Sequence, residues 1–403
     1  MWLKHLSLTN FRNYARLDID VPKGLLLISG NNAQGKTSLI EAIYFLSSFV
    51  SFHAENDRQL IHFLVANDPL AVGRIVADFE TDEDTQRLEV RIIQERENGN
   101  GRLRKEILLN GVKQKMAEAV GKFKAVIFLP QSLLIIEGAP EERRRFLNLA
   151  LSQVLPHYAA ILAEYVRALN QRNALLKQLS ERGGDVSQLD YWDNELSQLG
   201  ARMIYARIHA IMELEALASP IFHKLTHENE TLSMNYQPSF EPMKQNHGQY
   251  SLAVDIKLDR RGLSLEQIQE GFRQRLRQLR NDEISRGVTT IGPHRDDIRF
   301  LSNGIDLGVY GSRGQIRTAI LALKFAEMHW IREKSGSWPV FLLDEVLAEL
   351  DDQHRHDFME RLGEYEQAIL TTTDVNMFHP RFLNNAHIWK VQAGQVAPLQ
   401  VLQ

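Results

Sequence analysis

The sequence predicts an α/β fold assembled from both ends of the chain, with a helical lobe inserted between them. Three observations predict it. Near the N-terminus a short apolar run, Leu25-Leu26-Leu27-Ile28, leads into a glycine-containing loop and then a helical pattern. Near the C-terminus a second run, Val340-Phe341-Leu342-Leu343, ends in two acids, Asp344 and Glu345. Between them, after Gly138, apolar residues recur at heptad spacing.

The elements follow in order. Leu3, Leu6 and Leu8 lead into Phe11-Arg12-Asn13-Tyr14, and Leu17, Ile19 and Val21 alternate with Asp18 and Asp20 as in a half-buried strand. Pro22-Lys23-Gly24 is a turn. Leu25 to Ile28 has no polar face, the pattern of a strand covered on both sides. Thr37 to Ser47 is helical. From about Leu70 to Ile107 alternation returns, with turn signals at Asn98-Gly99-Asn100-Gly101 and Asn110-Gly111, so this stretch is an antiparallel β segment.

In the middle, Leu162, Tyr165, Leu169, Leu176 and Leu179 form one seam, which Arg172 interrupts. Trp192, Leu196, Leu199, Met203, Ala206 and Ala210 form a second, and Gly183-Gly184 lies in the loop between them. A short antiparallel helical hairpin with arms of ~35–45 Å fits this spacing, and ordinary amphipathic core helices fit it equally. A further helix carries Ile268, Phe272, Leu276 and Leu279 on one face and Arg273, Arg277 and Arg280 on another. After Gly287 the α/β punctuation resumes and the chain ends in a β-rich tail. The expected domains are therefore residues 1–137 with 286–403 as the α/β lobe, and 138–285 as the inserted helical lobe.

Composition narrows the function. The chain has 403 residues, 44% hydrophobic and 24% charged, an ordinary globular balance that excludes a disordered chain. The absence of cysteine excludes a disulfide scaffold, thiol catalysis and cysteine-bound metal. No apolar run approaches the ~18 residues of a membrane span, and Met1-Trp2-Leu3-Lys4-His5 lacks the apolar core of a signal peptide, so a soluble, cytoplasmic protein is expected. A net charge of -4 is no footprint of a nucleic-acid binder, so any basic surface is local. Arg273, Arg277 and Arg280 are candidate phosphate contacts, with a solvated helix face as the rival reading. For Arg143-Arg144-Arg145 the rival is contact with the core lobe.

Three motifs carry chemistry. Gly30-Asn31-Asn32-Ala33-Gln34-Gly35-Lys36-Thr37 matches G-x-x-x-x-G-K-[ST], the P-loop, in its proper strand–loop–helix context. Glycines let backbone N–H groups wrap phosphates, Lys36 reaches the β- and γ-phosphates, and the Thr37 hydroxyl binds Mg²⁺. The acidic strand end supplies Asp344 to hold Mg²⁺ and Glu345 to orient and deprotonate an attacking water. The third, Ser312-Arg313-Gly314-Gln315 before an apolar helix, resembles the S-x-G-Q signature of ABC-type ATPases; alone it also reads as a serine N-cap. Ala348-Glu349-Leu350-Asp351 is similar to the loop that crosses the dimer in that class, with Asp351 at its end. Gln131 is a candidate lobe-junction glutamine or a solvated loop residue. Thr371-Thr372-Thr373 stands where that class often has a switch histidine.

Together these residues resemble the RecF family of bacterial recombination mediators, in the SMC-like branch of ABC-type ATPases. The resemblance runs through Asn10-Phe11-Arg12-Asn13-Tyr14, the P-loop with Glu41-Ala42-Ile43, and Gly138-Ala139-Pro140 with Arg143 to Leu147. It continues in Gly292-Pro293-His294-Arg295-Asp296-Asp297, Ser312 to Arg317, and Leu342 to Asp351. Ser38, Gln131 and Glu345 depart from the family's usual asparagine, glutamate and second aspartate. The resemblance implies an ABC-type ATPase head and a homodimer formed head to tail on ATP, with Ser312 to Gln315 acting in trans. It implies binding of double-stranded and gapped DNA, slow DNA-dependent ATP hydrolysis, and work with RecO and RecR to load RecA at gaps. Two other readings share the nucleotide motifs. A transporter-type subunit needs membrane helices to couple to, and a structural chromosome ATPase needs far longer coiled coils.

Overall fold

In a computed structural model of the chain, residues 1–82, 84–97, 100–242, 258–349 and 352–399 are described. Two compact units emerge: Met1–Ser132 with Lys324–Gln403, and Leu133–Leu323.

The first unit begins with β1 (Trp2–Phe11), β2 (Tyr14–Asp20) and β3 (Gly24–Ser29). It continues with β4 (Leu70–Glu80), β5 (Thr85–Glu97), β6 (Asn100–Leu109), β7 (Val112–Gln114) and β8 (Ala125–Phe128). The second unit contributes β9 (Leu232–Gln237), β10 (Asp297–Ser302) and β11 (Ile305–Asp306). The chain then returns to the first unit for β12 (Val340–Asp344), β13 (Gln367–Thr372), β14 (Ala386–Gln392) and β15 (Gln395–Pro398).

Alternation builds the first sheet, antiparallel in the order β2-β1-β4-β5-β6-β7. Leu6 and Leu8 of β1 point inward and are fully buried, while His5 and Ser7 stay partly exposed. Asn110 and Gly111 both adopt positive φ, 52° and 80°, as the β6–β7 turn requires. The second sheet has the order β15-β14-β3-β13-β12-β8. Five of its strands run parallel and β15 is antiparallel at one edge. Leu26, Leu27 and Ile28 are buried throughout because β3 lies between β14 and β13 and both faces of that sheet are covered. The helix α1 (Lys36–Ser48) joins the same core, with Leu39, Ile40, Ile43 and Phe45 packed among residues of both sheets.

The second unit contains the expected hairpin, Tyr158–Arg182 and Leu189–Leu225, joined through Gly183-Gly184. The second helix has 37 residues. At 1.5 Å per residue it is ~55 Å long, beyond the expected span. The apolar seam does not stop at Ala210 but runs on through Ile211, Leu214, Ala218, Phe222 and Leu225. A third helix, Leu265–Arg286, packs on both arms. Gly200 admits its Phe272, since a Cβ there would sit 2.5 Å from that ring and 3.3 Å from Tyr165. The seams therefore face a three-helix core. Arg172, fully buried, is part of that core rather than a break in it. It donates to Asp193 Oδ1 (2.8 Å) and Thr289 Oγ1 (2.8 Å) and lies 2.8 Å from Glu283 Oε2.

This unit is not purely helical, and it extends past residue 285. A three-stranded sheet, β11-β10-β9, pairs Asp297–Ser302 with Gln237–Leu232. Residues 286–323 thus fall with the insertion, because the partner strand of β10 lies inside it. The Gly292–Asp297 stretch is the heart of this unit. Asp296 accepts from Tyr236 Oη and from Ser239 N (2.8 Å), and lies 3.4 Å from Arg207 Nη1. Arg207 also donates to Pro293 O (2.5 Å) and Asn148 Oδ1 (3.1 Å). Arg207→Ala leaves a buried carboxylate uncompensated, and a destabilisation of about 3–5 kcal/mol is expected, with Arg207→Lys intermediate. Urea unfolding checks this; a midpoint equal to wild type refutes it.

Candidate nucleotide site

The loop between β3 and α1 is shaped by its neighbours. Gly30 tolerates no side chain, because a Cβ would meet the Val391 carbonyl oxygen at 2.4 Å. Gly35 has φ 118°, and a Cβ there would meet Asn13 Nδ2 at 2.5 Å and Tyr14 Oη at 2.9 Å. Tyr14 Oη donates to Gly35 O (3.0 Å) and Asn13 Nδ2 to Gln34 O (3.1 Å). From the β14–β15 turn, Ala393 N donates to Gln34 Oε1 (2.7 Å) and Gly394 N to Gln34 O (3.1 Å). The loop is therefore gripped by the β1–β2 turn and the β14–β15 turn. Neither grip is legible in the loop's own residues. The Asn10–Tyr14 resemblance flagged the first, and nothing but strand pairing reveals the second.

Charge is concentrated where β12 ends. Lys36 is 3% exposed; its ammonium donates to Gly30 O (2.8 Å) and Asn31 O (3.1 Å) and lies 3.1 Å from Glu345 Oε1. Asp344 aligns with Thr371 of β13, whose hydroxyl donates to Asp344 Oδ1 (2.6 Å). Thr37 Oγ1 donates to the same oxygen (3.2 Å), and Glu345 N donates to Thr371 Oγ1 (3.0 Å). Burial raises the Asp344 carboxyl above its ordinary value, with the two threonine hydroxyls acting against that shift. Glu345 adopts φ 54°, a left-handed backbone that turns the chain at the strand end.

A cavity of 320 Å³ is lined by Asn13, Asn32, Ala33, Gly35, Lys36, Thr37, Ser38 and Glu345. The structure thus gathers the residues from Gly30 to Ser38 with Asp344 and Glu345, although 307 positions separate Thr37 from Asp344. The donor set suits Mg²⁺: a hydroxyl and one carboxylate are hard oxygen ligands, and such sites are completed by phosphate oxygens and water. The role of Thr371, tethering both acids, is one that sequence reading missed.

The remaining candidates are placed as follows. In the second unit Ser312, Arg313 and Gly314 are exposed ahead of an apolar helix. Ser312 N donates to Gln315 Oε1 (3.0 Å) and Gln315 N to Ser312 Oγ (3.2 Å), a capping box. This arrangement uses the serine oxygen as acceptor and leaves its O–H to donate elsewhere. Gln131 is exposed in the short turn Pro130–Leu133 of the first unit. Asp351 lies outside the described residues.

The basic candidates carry local partners. Arg280 donates to Asp190 (2.5 Å) and Asp193 (2.5 Å), Arg277 is 3.6 Å from Asp190, and Arg273 donates to Glu270 (2.5 Å). Arg143 is bidentate on Asp297 (2.6 and 3.0 Å), and Arg144 donates to Asp296 O (2.9 Å). His294 is a half-buried staple between Tyr165 Oη (2.8 Å) and Thr289 O (3.3 Å), and desolvation pushes its imidazole down to about 4.

Residues 2–395 match the RecF/RecN/SMC N-terminal domain. The chain is 37% identical to the DNA replication and repair protein RecF of Roseiflexus castenholzii, over 99% of this chain and all of that protein. To the RecF of Bacillus subtilis it is 34% identical, over 98% of this chain and 99% of the relative. It belongs to the RecF family. The solved structure of the recombination mediator protein RecF-ATP in the RecFOR pathway matches with a TM-score of 0.82 and 31% identity, covering 99% of this chain and 97% of that one. An SMC head bound to the C-winged helix domain of ScpA, 16% identical at a TM-score of 0.53 over 99% of this chain and 98% of that one, shares the fold. The fold is thus that of an SMC-like ABC-type ATPase head. Among the described residues no helix is long and apolar enough to cross a membrane.

Proposed function

We propose that this RecF-family chain is an ATP-gated DNA-binding protein of recombinational repair, acting in the bacterial cytoplasm on the nucleoid. The observation that carries the reading is the convergence of Lys36, Thr37 and Glu345 on one cavity, with Asp344 hydrogen-bonded to Thr37. Bound ATP with Mg²⁺ supplies the phosphoanhydride and the charge that polarises it. Lys36 exchanges its contact with Glu345 for phosphate oxygens, which frees that carboxylate to orient a water and take its proton. Thr37 and Asp344 would hold the Mg²⁺. Ser312 to Gln315 of one copy complete the site of another in a head-to-tail homodimer, with the Ser312 O–H and the dipole of the following helix directed at the γ-phosphate. By resemblance, Gln131 is assigned to the lobe junction and Asp351 to the loop that reaches across the dimer.

Hydrolysis is slow and DNA-dependent, a switch rather than a motor. The substrate is double-stranded and gapped DNA, and the partners are RecO and RecR, in loading RecA at single-strand gaps. Family membership and the likeness to a RecF-ATP structure of the RecFOR pathway support this. All four arginines have carboxylate partners, but Arg273 and Arg277 are 35% and 50% exposed against 16% and 11% for Arg280 and Arg143, which makes them the better phosphate contacts.

Lys36→Ala tests the reading. Loss of its charge-assisted bonds is expected to weaken ATP binding roughly tenfold to a hundredfold, and ATP-stimulated binding to gapped duplex with it. Calorimetric titration with ATP and a DNA mobility shift measure both. Unchanged ATP affinity in the folded variant refutes the assignment.

A further inference from the structure

The exposed Ser312 apex is held from below by a carboxylate distant in sequence. Glu230 Oε2 accepts from Gln315 Nε2 (3.0 Å) and from the Ser302 hydroxyl at the end of β10. Gln315 is the residue whose side-chain oxygen holds Ser312 N and whose backbone N–H holds Ser312 Oγ. Its amide is thus fixed at both ends, Oε1 on the serine backbone and Nε2 on Glu230.

The Glu230 backbone is itself anchored to the end of the long helix Leu189–Leu225. Its carbonyl accepts from His223 Nδ1 (3.0 Å), and its N–H donates to Thr226 Oγ1 (3.3 Å). The next residue, Thr231, is pinned by Asn303 Oδ1 through both N–H (3.0 Å) and hydroxyl (2.9 Å). A carboxylate suits the task, because it accepts several bonds at once and orients an amide by its NH₂ end.

We infer that Glu230 is a positioning residue that presets Ser312 for the partner's nucleotide, and that it ties the signature to the root of the arm helix. The inference rests on Ser312 acting in trans. Glu230 touches no substrate; it acts through Gln315. Without it the glutamine is free to leave the capping box, and the serine loses the fixed geometry from which its O–H is aimed. A displacement on the scale of an ångström at a reacting centre costs up to a hundredfold in rate.

The experiment uses the full chain. Glu230→Ala is expected to lower ATP hydrolysis roughly tenfold to a hundredfold, while the ATP affinity of the monomer, set by Lys36, stays at the wild-type value. Glu230→Gln, which keeps the accepting oxygen, is expected to recover most of the rate. Mixed with Lys36→Ala, the Glu230→Ala protein regains activity, because one site per heterodimer then pairs an intact Lys36 with an intact signature. Mixed with Ser312→Arg it does not, since both lesions fall on the same side of the site. Wild-type hydrolysis by Glu230→Ala overturns the inference. So does a loss that Lys36→Ala fails to complement while the Ser312→Arg and Lys36→Ala pair complement each other. If that control pair is itself inactive, sharing in trans is wrong, and the role of Glu230 falls with it.

Discussion

Glu345→Gln is expected to lower ATP hydrolysis by roughly two to four orders of magnitude, the usual contribution of a positioned general base. The amide keeps the shape and hydrogen-bonding reach of the carboxylate, so the turn at φ 54° and the Glu345 N bond to Thr371 are undisturbed. Two effects follow from one change. The base is gone, and so is the anionic partner 3.1 Å from Lys36. Lys36 then meets phosphate without first giving up a carboxylate, so ATP binding is expected to tighten while turnover stops, and ATP-bound dimers accumulate. Single-turnover hydrolysis and size-exclusion chromatography with ATP read the two effects separately. Hydrolysis at the wild-type rate would show that Glu345 is not the base and move the role to Asp344 or to the substrate itself.

Ser312→Arg is expected to abolish hydrolysis and ATP-driven dimerisation while ATP still binds the monomer. The substitution places a long cation at an exposed apex whose neighbours, Arg313 and Gly314, are also exposed, so the unit itself has no reason to unfold. Ser312 lies in the Leu133–Leu323 unit and Lys36 in the other. Mixed in equal amounts with Lys36→Ala, the variant regains measurable hydrolysis, at most about a quarter of the wild-type rate, since random pairing makes about half of the possible dimers mixed and each mixed dimer holds one intact site. A Ser312→Arg protein that hydrolyses ATP normally as a monomer defeats the dimer reading outright.

What was legible in the residues divides along physical lines. Gly30 to Thr37 and Asp344-Glu345 were readable because phosphate chemistry demands fixed residue types at fixed spacing on a strand end. The antiparallel segment was readable from its alternation and from the Asn110-Gly111 turn. The bonds that Thr371, Asn13 and Ala393-Gly394 make to the site were not readable, although resemblance singled out the first two, since each acts through strands that meet only after folding. The boundary at residue 286 failed because pattern names no partner: Leu232, Met234 and Tyr236 alternate with polar residues as in a strand, but nothing in the sequence shows that β10 pairs with that strand inside the insertion. Arg172 looked like a fault in a seam, yet a buried arginine with two carboxylates belongs to a core as much as a leucine does. Arg280 looked like free surface charge for the same reason: the pattern shows which face a residue occupies, not which carboxylate arrives opposite.

The grip of the β14–β15 turn on Gln34 bears on how the protein is made. The strand that feeds the loop, β3, lies between β13 and β14, both synthesised long after it. During translation at ~5–20 residues per second, the continuous unit Leu133–Leu323 has all its parts first and is free to fold on the ribosome. The interrupted unit waits. Its nucleotide loop is flanked on both sides only once residues 386–392 emerge, and buttressed only once Ala393 and Gly394 do. A ribosome stalled short of those codons therefore releases a chain whose arm is mature and whose nucleotide loop is unfinished. The buttressing of the nucleotide loop thus arrives with the last strands.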